Sequence, residues 1–330
     1  MNFDVAMPLT LFFVILAAIF FDKKVERKVK GVFEEKEFRI RDAILLVAAM
    51  GVTVSLIVFI PQMAIMTLFL FSYSMLLFIF TYIFSDFKKA NARRFNIAFL
   101  VVSFAAATIS LFNLDVNSLM GYSALAFFCL FTFTFIVLLY DELRTSTKER
   151  WYLAILPPAL FIFLYLFFSG TPIWFPYLLD IYGIVFAVLI ILYLGSLFTW
   201  KTTLIFVTLL TAMDVVLVLV TGAMVSAASH VSVLQLPMLI AIRTIPAIVR
   251  DGYVIWMSLG LGDFFFAGLI ALQTLRKYGR EYAILSAIAM SASFFIFEAF
   301  LLTYELRAFP GTVMIICGWL PLILWKKLKH

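Results

Sequence analysis

The sequence predicts an all-α fold, a polytopic transmembrane helix bundle of about 9 to 11 spans, and three observations carry that prediction. Of 330 residues, 65% are hydrophobic and 13% are charged, whereas soluble domains are roughly half apolar and a quarter charged. One core cannot hide that excess, so lipid is the solvent. Apolar runs of roughly 16 to 23 residues recur along the whole chain, each long enough to cross or nearly cross a hydrocarbon layer about 30 Å thick as a helix. The connections between runs alternate between basic and non-basic, the pattern that sorts cytoplasmic loops from outer ones. Barrel strands would instead read as segments of about ten residues with alternating polarity, and that alternation is absent.

In chain order, the predicted spans are 6–21, 43–60, 62–84, 95–112, 119–140, 151–169, 177–199, 202–225, 253–273, 282–303 and 310–325. The first follows Met1-Asn2-Phe3-Asp4, which has neither a basic n-region nor a small-residue cleavage site, so it is expected to be a retained span. The second and third are separated by Pro61 alone, which breaks a helix and suits a tight turn or a re-entrant hairpin. The chain divides into N-terminal transmembrane helices over 1–200, about seven spans, and a four-helix region over 201–330.

The segments 22–42, 85–94, 141–150, Lys201, 274–281 and the tail Lys326-Lys327-Leu328-Lys329 are basic, while 113–118, 170–176 and 304–309 carry at most one basic residue; the exception is 226–252, long and mostly apolar, with Arg243 and Arg250. An outside N-terminus and a cytoplasmic C-terminus follow. The interleaved charges of 22–42 suit a short amphipathic helix on the inner surface. The net charge of +6 sits in these connections, so it speaks for topology against the lipid bilayer and not for nucleic acid. Cys129 and Cys317 both fall within apolar runs, leaving no disulfide framework and no Cys/His cluster for a metal.

A carboxylate inside a span costs several kcal/mol, so each one is a functional candidate. Asp214 lies in Leu210-Thr211-Ala212-Met213-Asp214-Val215 and Asp263 in Gly260-Leu261-Gly262-Asp263-Phe264, both read as mid-span. Asp214 stands 13 residues after Lys201 and Asp263 stands 13 before Arg276, which places both about 20 Å from the same face on antiparallel helices. Ser258, Gly260 and Gly262 would let the two backbones approach closely. A carboxyl pair in low dielectric shares one proton. The ionised partner takes a proton from an attacking water, and the protonated one stabilises the oxyanion and protonates the leaving nitrogen. Such chemistry requires no metal or nucleotide.

Gly260-Leu261-Gly262-Asp263 resembles the GxGD motif of presenilins and signal peptide peptidases, and the resemblance covers roughly 202–325. It implies an intramembrane aspartyl protease whose first aspartate is Asp214 and second Asp263, with Pro310-Gly311-Thr312 in place of the Pro-Ala-Leu element that borders the active site. Gly260 and Gly262 fit either an active-site role or close packing. Met213 stands where the family has tyrosine, and seven spans precede the last four where the family usually has five. The expected orientation resembles signal peptide peptidase and implies transmembrane helical substrates with an inside N-terminus, such as signal-peptide remnants or type II single-span proteins. The outer segment 226–252, with Val231-Ser232-Val233 and Leu236-Pro237, is expected to help admit substrate, by pairing with an unwound strand.

Other readings remain beside this one. The two aspartates also suit hydrogen-bonded packing, and together with Glu298 they suit a proton-coupled secondary transporter, although paired Gly/Pro-broken helices in two matching halves are missing. Glu298 is read first as a hydrogen-bonded interhelical contact and second as part of a polar cavity. Tyr140-Asp141 is a literal Tyr-Asp pair, but beside Glu142 and Arg144 it reads as a solvated helix end. Asp180 and His230 read as solvated span ends.

Overall fold

Among the described residues, the apolar pattern resolves into twelve helices and two short antiparallel strand pairs. The structure is a computed structural model that describes residues 2–32, 37–84, 89–112, 118–144, 154–250, 252–306 and 308–328. The helices are α1 (Ala6–Val32), α2 (Ile40–Leu56), α3 (Gln62–Ile83), α4 (Lys89–Phe112), α5 (Ser118–Arg144), α6 (Leu156–Phe168), α7 (Leu179–Gly195), α8 (Trp200–Val215), α9 (Ala223–Ser232), α10 (Leu261–Tyr278), α11 (Arg280–Tyr304) and α12 (Gly311–Leu328). Nine helical segments among the described residues are long and apolar enough to cross a membrane, so the chain is an integral multi-pass membrane protein with an all-α bundle.

The eleven predicted runs map onto those nine plus α6 and α10. Helix α6 has only 13 residues, too few to cross a full hydrocarbon layer at about 1.5 Å per residue. Helix α10 has 18 residues but carries Asp263, Arg276 and Lys277. Pro61 separates two distinct spans, since α2 passes through a single 3₁₀ turn at Ile57–Phe59 and α3 begins at Gln62. No separate amphipathic helix occupies the described part of 22–42, because α1 runs on to Val32 and α2 starts at Ile40. Residues 33–36 lie outside the described residues, as do 85–88, 113–117 and 145–153 from the other connections.

A larger correction concerns the predicted span 253–273. Its first part is extended: β3 (Tyr253–Val254) pairs with β2 (Val249–Arg250), and β4 (Trp256–Gly260) pairs with β1 (Leu239–Arg243). Aromatic and β-branched residues dominate here, and Gly260 and Gly262 weaken a helix. The pairing matches Leu239 to Gly260 and Arg243 to Trp256. Non-helical backbone in β4 is tolerated because it lines a cavity.

The chain forms two compact units, one of residues 1–69 and 175–330 and the other of 70–174. In the first, α10 is the central element. Every residue from Phe264 to Thr274 is buried, and α1, α7, α8, α11 and α12 all pack on it. A helix apolar all round belongs at such a centre. Its polar end is anchored by hydrogen bonds: Gln273 Nε2 donates to the carbonyls of Gly195 and Phe198 (3.3 and 2.7 Å). Arg276 donates to Gly195 O at 3.0 Å and pairs with the buried Asp22 at 2.8 Å. Gly318 of α12 lies so close to the backbone of Ala289 in α11 that a Cβ there has no room. Thus α1, α2 and α7 from the N-terminal stretch pack in the same unit as residues 201–330.

In the second unit, α4, α5 and α6 are joined by rings. Phe131, Phe135 and Leu156 form its buried core, flanked by Phe95, Phe99 and Phe127. Phe127 stacks on Phe163 at 3.7 Å between centroids with 2° between planes.

Candidate active site

Helix α8 is launched by Thr199, whose side chain accepts from the N–H of Thr202 at 3.3 Å while its own N–H donates to Thr202 Oγ1 at 2.9 Å. Sixteen α-helical residues later the helix loosens into a π-type turn at Val216–Val220 and stops at Gly222, which sits in the left-handed region at φ 66°. Asp214 is the penultimate α-helical residue before that turn, and π-type turns recur at functional sites. Helix α10 starts where β4 ends, so Asp263 lies in its first turn and not mid-span. The N–H of Gly260 donates back to the Asp263 carboxyl, as a capping residue's partner does.

The two helices run antiparallel, as the spacing predicted. The start of α8 meets the end of α10 through Trp200 and Tyr278, with ring centroids 5.4 Å apart, and Lys277 Nζ lies 4.2 Å from the Trp200 ring. Their opposite ends bring Asp214 and Asp263 to the start of α12. There Thr312 donates to Asp214 Oδ2 from both its N–H (3.2 Å) and its hydroxyl (2.6 Å). Its neighbour Gly311 faces the other acid: a Cβ at Gly311 would stand 2.5 Å from Asp263 Oδ1 and 2.8 Å from its Cγ. Two consecutive residues therefore hold both carboxyls.

Pro310 is buried just before this turn, and its carbonyl accepts from Met314 N–H at 3.3 Å. Asp214, Asp263, Gly260 and Gly311 line one cavity of about 470 Å³. Gly262 is not among the lining residues, is exposed, and has nothing within 4 Å of where a Cβ would be. Close approach is thus not its role. Met213, at the position of the family's tyrosine, leans on Gly51 of α2, where a Cβ would come within 2.6 Å of its sulfur.

One wall of the cavity is β4, whose residues Trp256 to Gly260 all contribute. Leu261 N–H donates to Met238 O (2.9 Å) and Thr244 N–H to Ile255 O (3.2 Å), which fixes Ile240–Leu259 and Ile242–Met257 as the hydrogen-bonded pairs. The N–H and C=O of Trp256, Ser258 and Gly260 then point away from β1, toward the open edge. Those of Trp256 and Ser258 have no hydrogen-bond partner among the described residues.

The opposite edge of the hairpin is closed. Ala241 N–H donates to Asp180 Oδ1 at 2.8 Å, and Ile240 fits against Gly183 one turn further along α7. Asp4 is fully buried, accepts from Ala6 and Met7 N–H at the start of α1, and accepts from Ile245 N–H at 2.7 Å. Asp180 is therefore a strand anchor and not a solvated span end. Its role had no local signal, whereas Asp4, an aspartate just ahead of an apolar run, carries a helix-start signature. Val231 and Ser232 of the segment 226–252 are helical, in α9, and it is Leu239–Arg243 that forms the strand. Glu298 belongs to the same cavity as the two aspartates. Tyr140 lies one turn before the end of α5, in the other unit, and is exposed.

Comparison of the chain with protein-family models, curated proteins and solved structures finds no match.

Proposed function

We propose that the chain is an intramembrane aspartyl protease in which Asp214 and Asp263 form the catalytic pair. The observation that carries this reading is the turn Gly311-Thr312, against which both carboxyls rest inside one cavity. Two donors from Thr312 suit an ionised Asp214, leaving Asp263 as the holder of the shared proton. Asp214 then removes a proton from water as it attacks the peptide carbonyl. Asp263 donates to the developing oxyanion and the proton returns to the leaving nitrogen.

The open edge of β4 supplies the second requirement, because a helical peptide bond is shielded by its own hydrogen bonds. A substrate segment that unwinds exchanges those bonds for ones to Trp256 and Ser258, an addition of one strand to a sheet edge, and this sets its backbone beside Asp263. With the N-terminus outside and the C-terminus cytoplasmic, the substrates are transmembrane helices with an inside N-terminus, of the signal-peptide or type II kind.

The test is cleavage of a tagged single-span substrate of that orientation in proteoliposomes. Wild type is expected to cut within the span, with product masses giving the bond, while Asp214→Asn and Asp263→Asn are inert. Cleavage by either variant, or by none including wild type over several substrates, overturns the reading, and proton flux in the same vesicles then tests the transporter alternative.

A further inference from the structure

Glu298 has no exposed surface, and neither of its carboxyl oxygens has a hydrogen-bond partner among the described residues. It nevertheless faces the cavity that holds Asp214 and Asp263. Its neighbours on α11 that line the same wall, Phe294, Leu301 and Leu302, offer no donor. Asp4 lies near enough to act on it electrostatically, but is an acid already occupied by three backbone N–H groups. Buried polar groups are almost always paired, so an orphan of this kind points to a partner that arrives from outside the fold.

The cavity's charge says which partner. Among the described residues, Asp214, Asp263, Glu298 and Glu305 line it against one base, Arg250, and Arg250 is engaged with Glu305 at 3.0 Å. A cavity with an excess of one sign, walled by apolar side chains, concentrates the opposite charge. We infer that Glu298 is the specificity-determining residue of a subsite for a basic substrate side chain, a lysine ammonium or arginine guanidinium placed within the segment that enters beside the two aspartates. Pairing in this site satisfies the orphan carboxyl and removes the penalty of an unpaired charge in low dielectric on both sides. The inference rests on the protease reading for its substrate, but binding tests it separately from cleavage.

The experiment measures binding of fluorescent single-span peptides to the full chain in lipid nanodiscs, with lysine, glutamine or leucine at one central position, for wild type, Glu298→Gln and Glu298→Met. Cleavage of the same peptides is followed in parallel with Asp214→Asn and Asp263→Asn. Wild type is expected to bind the lysine peptide about 10-fold or more tightly than the leucine peptide, and both Glu298 variants to lose that preference while binding the leucine peptide as before. Equal affinity for lysine and leucine in wild type, an unchanged preference in the variants, or failure of both variants to fold overturns the subsite. Should the lysine preference follow Glu298 while no peptide is cut, the subsite stands and the catalytic pair falls.

Discussion

The two compact units are made of similar apolar helices yet are held in different ways. In the unit of residues 70–174, Thr81, Thr108, Thr132 and Thr134 turn their hydroxyls back on their own helices at 2.7 to 2.9 Å, and Phe99–Phe135 and Phe127–Phe163 join neighbouring helices by a tilted and a stacked ring pair. In the other unit, polar side chains cross between elements: Thr312 to Asp214, Gln273 to Phe198, Trp319 to Thr274 at 3.1 Å, Ser293 to Met314 at 2.7 Å. Lipid offers no hydrophobic drive between helices, so cohesion comes from packing or from polar bonds. Rings fill space and tolerate exchange. Crossing bonds fix individual atoms, and among the described residues they reach the Asp214 carboxyl of the first unit.

Substitutions in the two units sharpen the contrast. The largest effect is expected at Gly311→Ala, whose methyl displaces the Asp263 carboxyl; a misplacement near 1 Å costs about 100-fold in rate, so cleavage in proteoliposomes should fall at least that far while unfolding is little changed. Next comes Thr312→Val, which keeps the shape and removes the hydroxyl from Asp214. A loss of about 10- to 100-fold in kcat is expected, with Thr312→Ser restoring most of it. Asp180→Ala uncaps the outer edge of β1 and should lower unfolding stability in detergent by about 1 to 3 kcal/mol, whereas Asp180→Asn, which keeps an acceptor, should lose less.

In the aromatic unit, Phe127→Leu removes the ring pairs with Phe128, Phe131 and Phe163, each worth about 0.5 to 1.5 kcal/mol, and cleavage should stay at the wild-type rate. A large loss of cleavage there breaks the contrast, since the ring-packed unit would then be positioning the site. The smallest effect is expected at Gly262→Ala, within about 0.5 kcal/mol of wild type, because a Cβ there meets nothing.

What was legible in the sequence follows from the same physics. Acids are rare in lipid, so Asp214 and Asp263 stand out from composition alone, and the equal spacing to Lys201 and Arg276 allowed them to meet; both line one cavity. Pro61 separated α2 from α3 because its missing N–H is a local fact. The β1–β4 pair was not legible as a strand pair: an apolar strand and an apolar helix look alike in hydropathy, and the bonds that decide between them join Leu239–Arg243 to residues 13 to 21 positions away in the chain. Asp180 was misread for a similar reason, as its partner Ala241 lies 61 residues on.

The meeting of Gly318 with Ala289 has a mechanical consequence. Gly318 lies seven residues, about 10 Å, along α12 from the turn that touches both carboxyls. A helix is stiff over two turns, so the stretch of α12 from Gly311 to Gly318 acts as a rod that α11 holds at Gly318 and that carries the two acids' alignment at its start. Any side chain added at Gly318 prises the clamp open and tilts the rod. Misalignment would then strike both carboxyls together, from a residue that does not line the cavity.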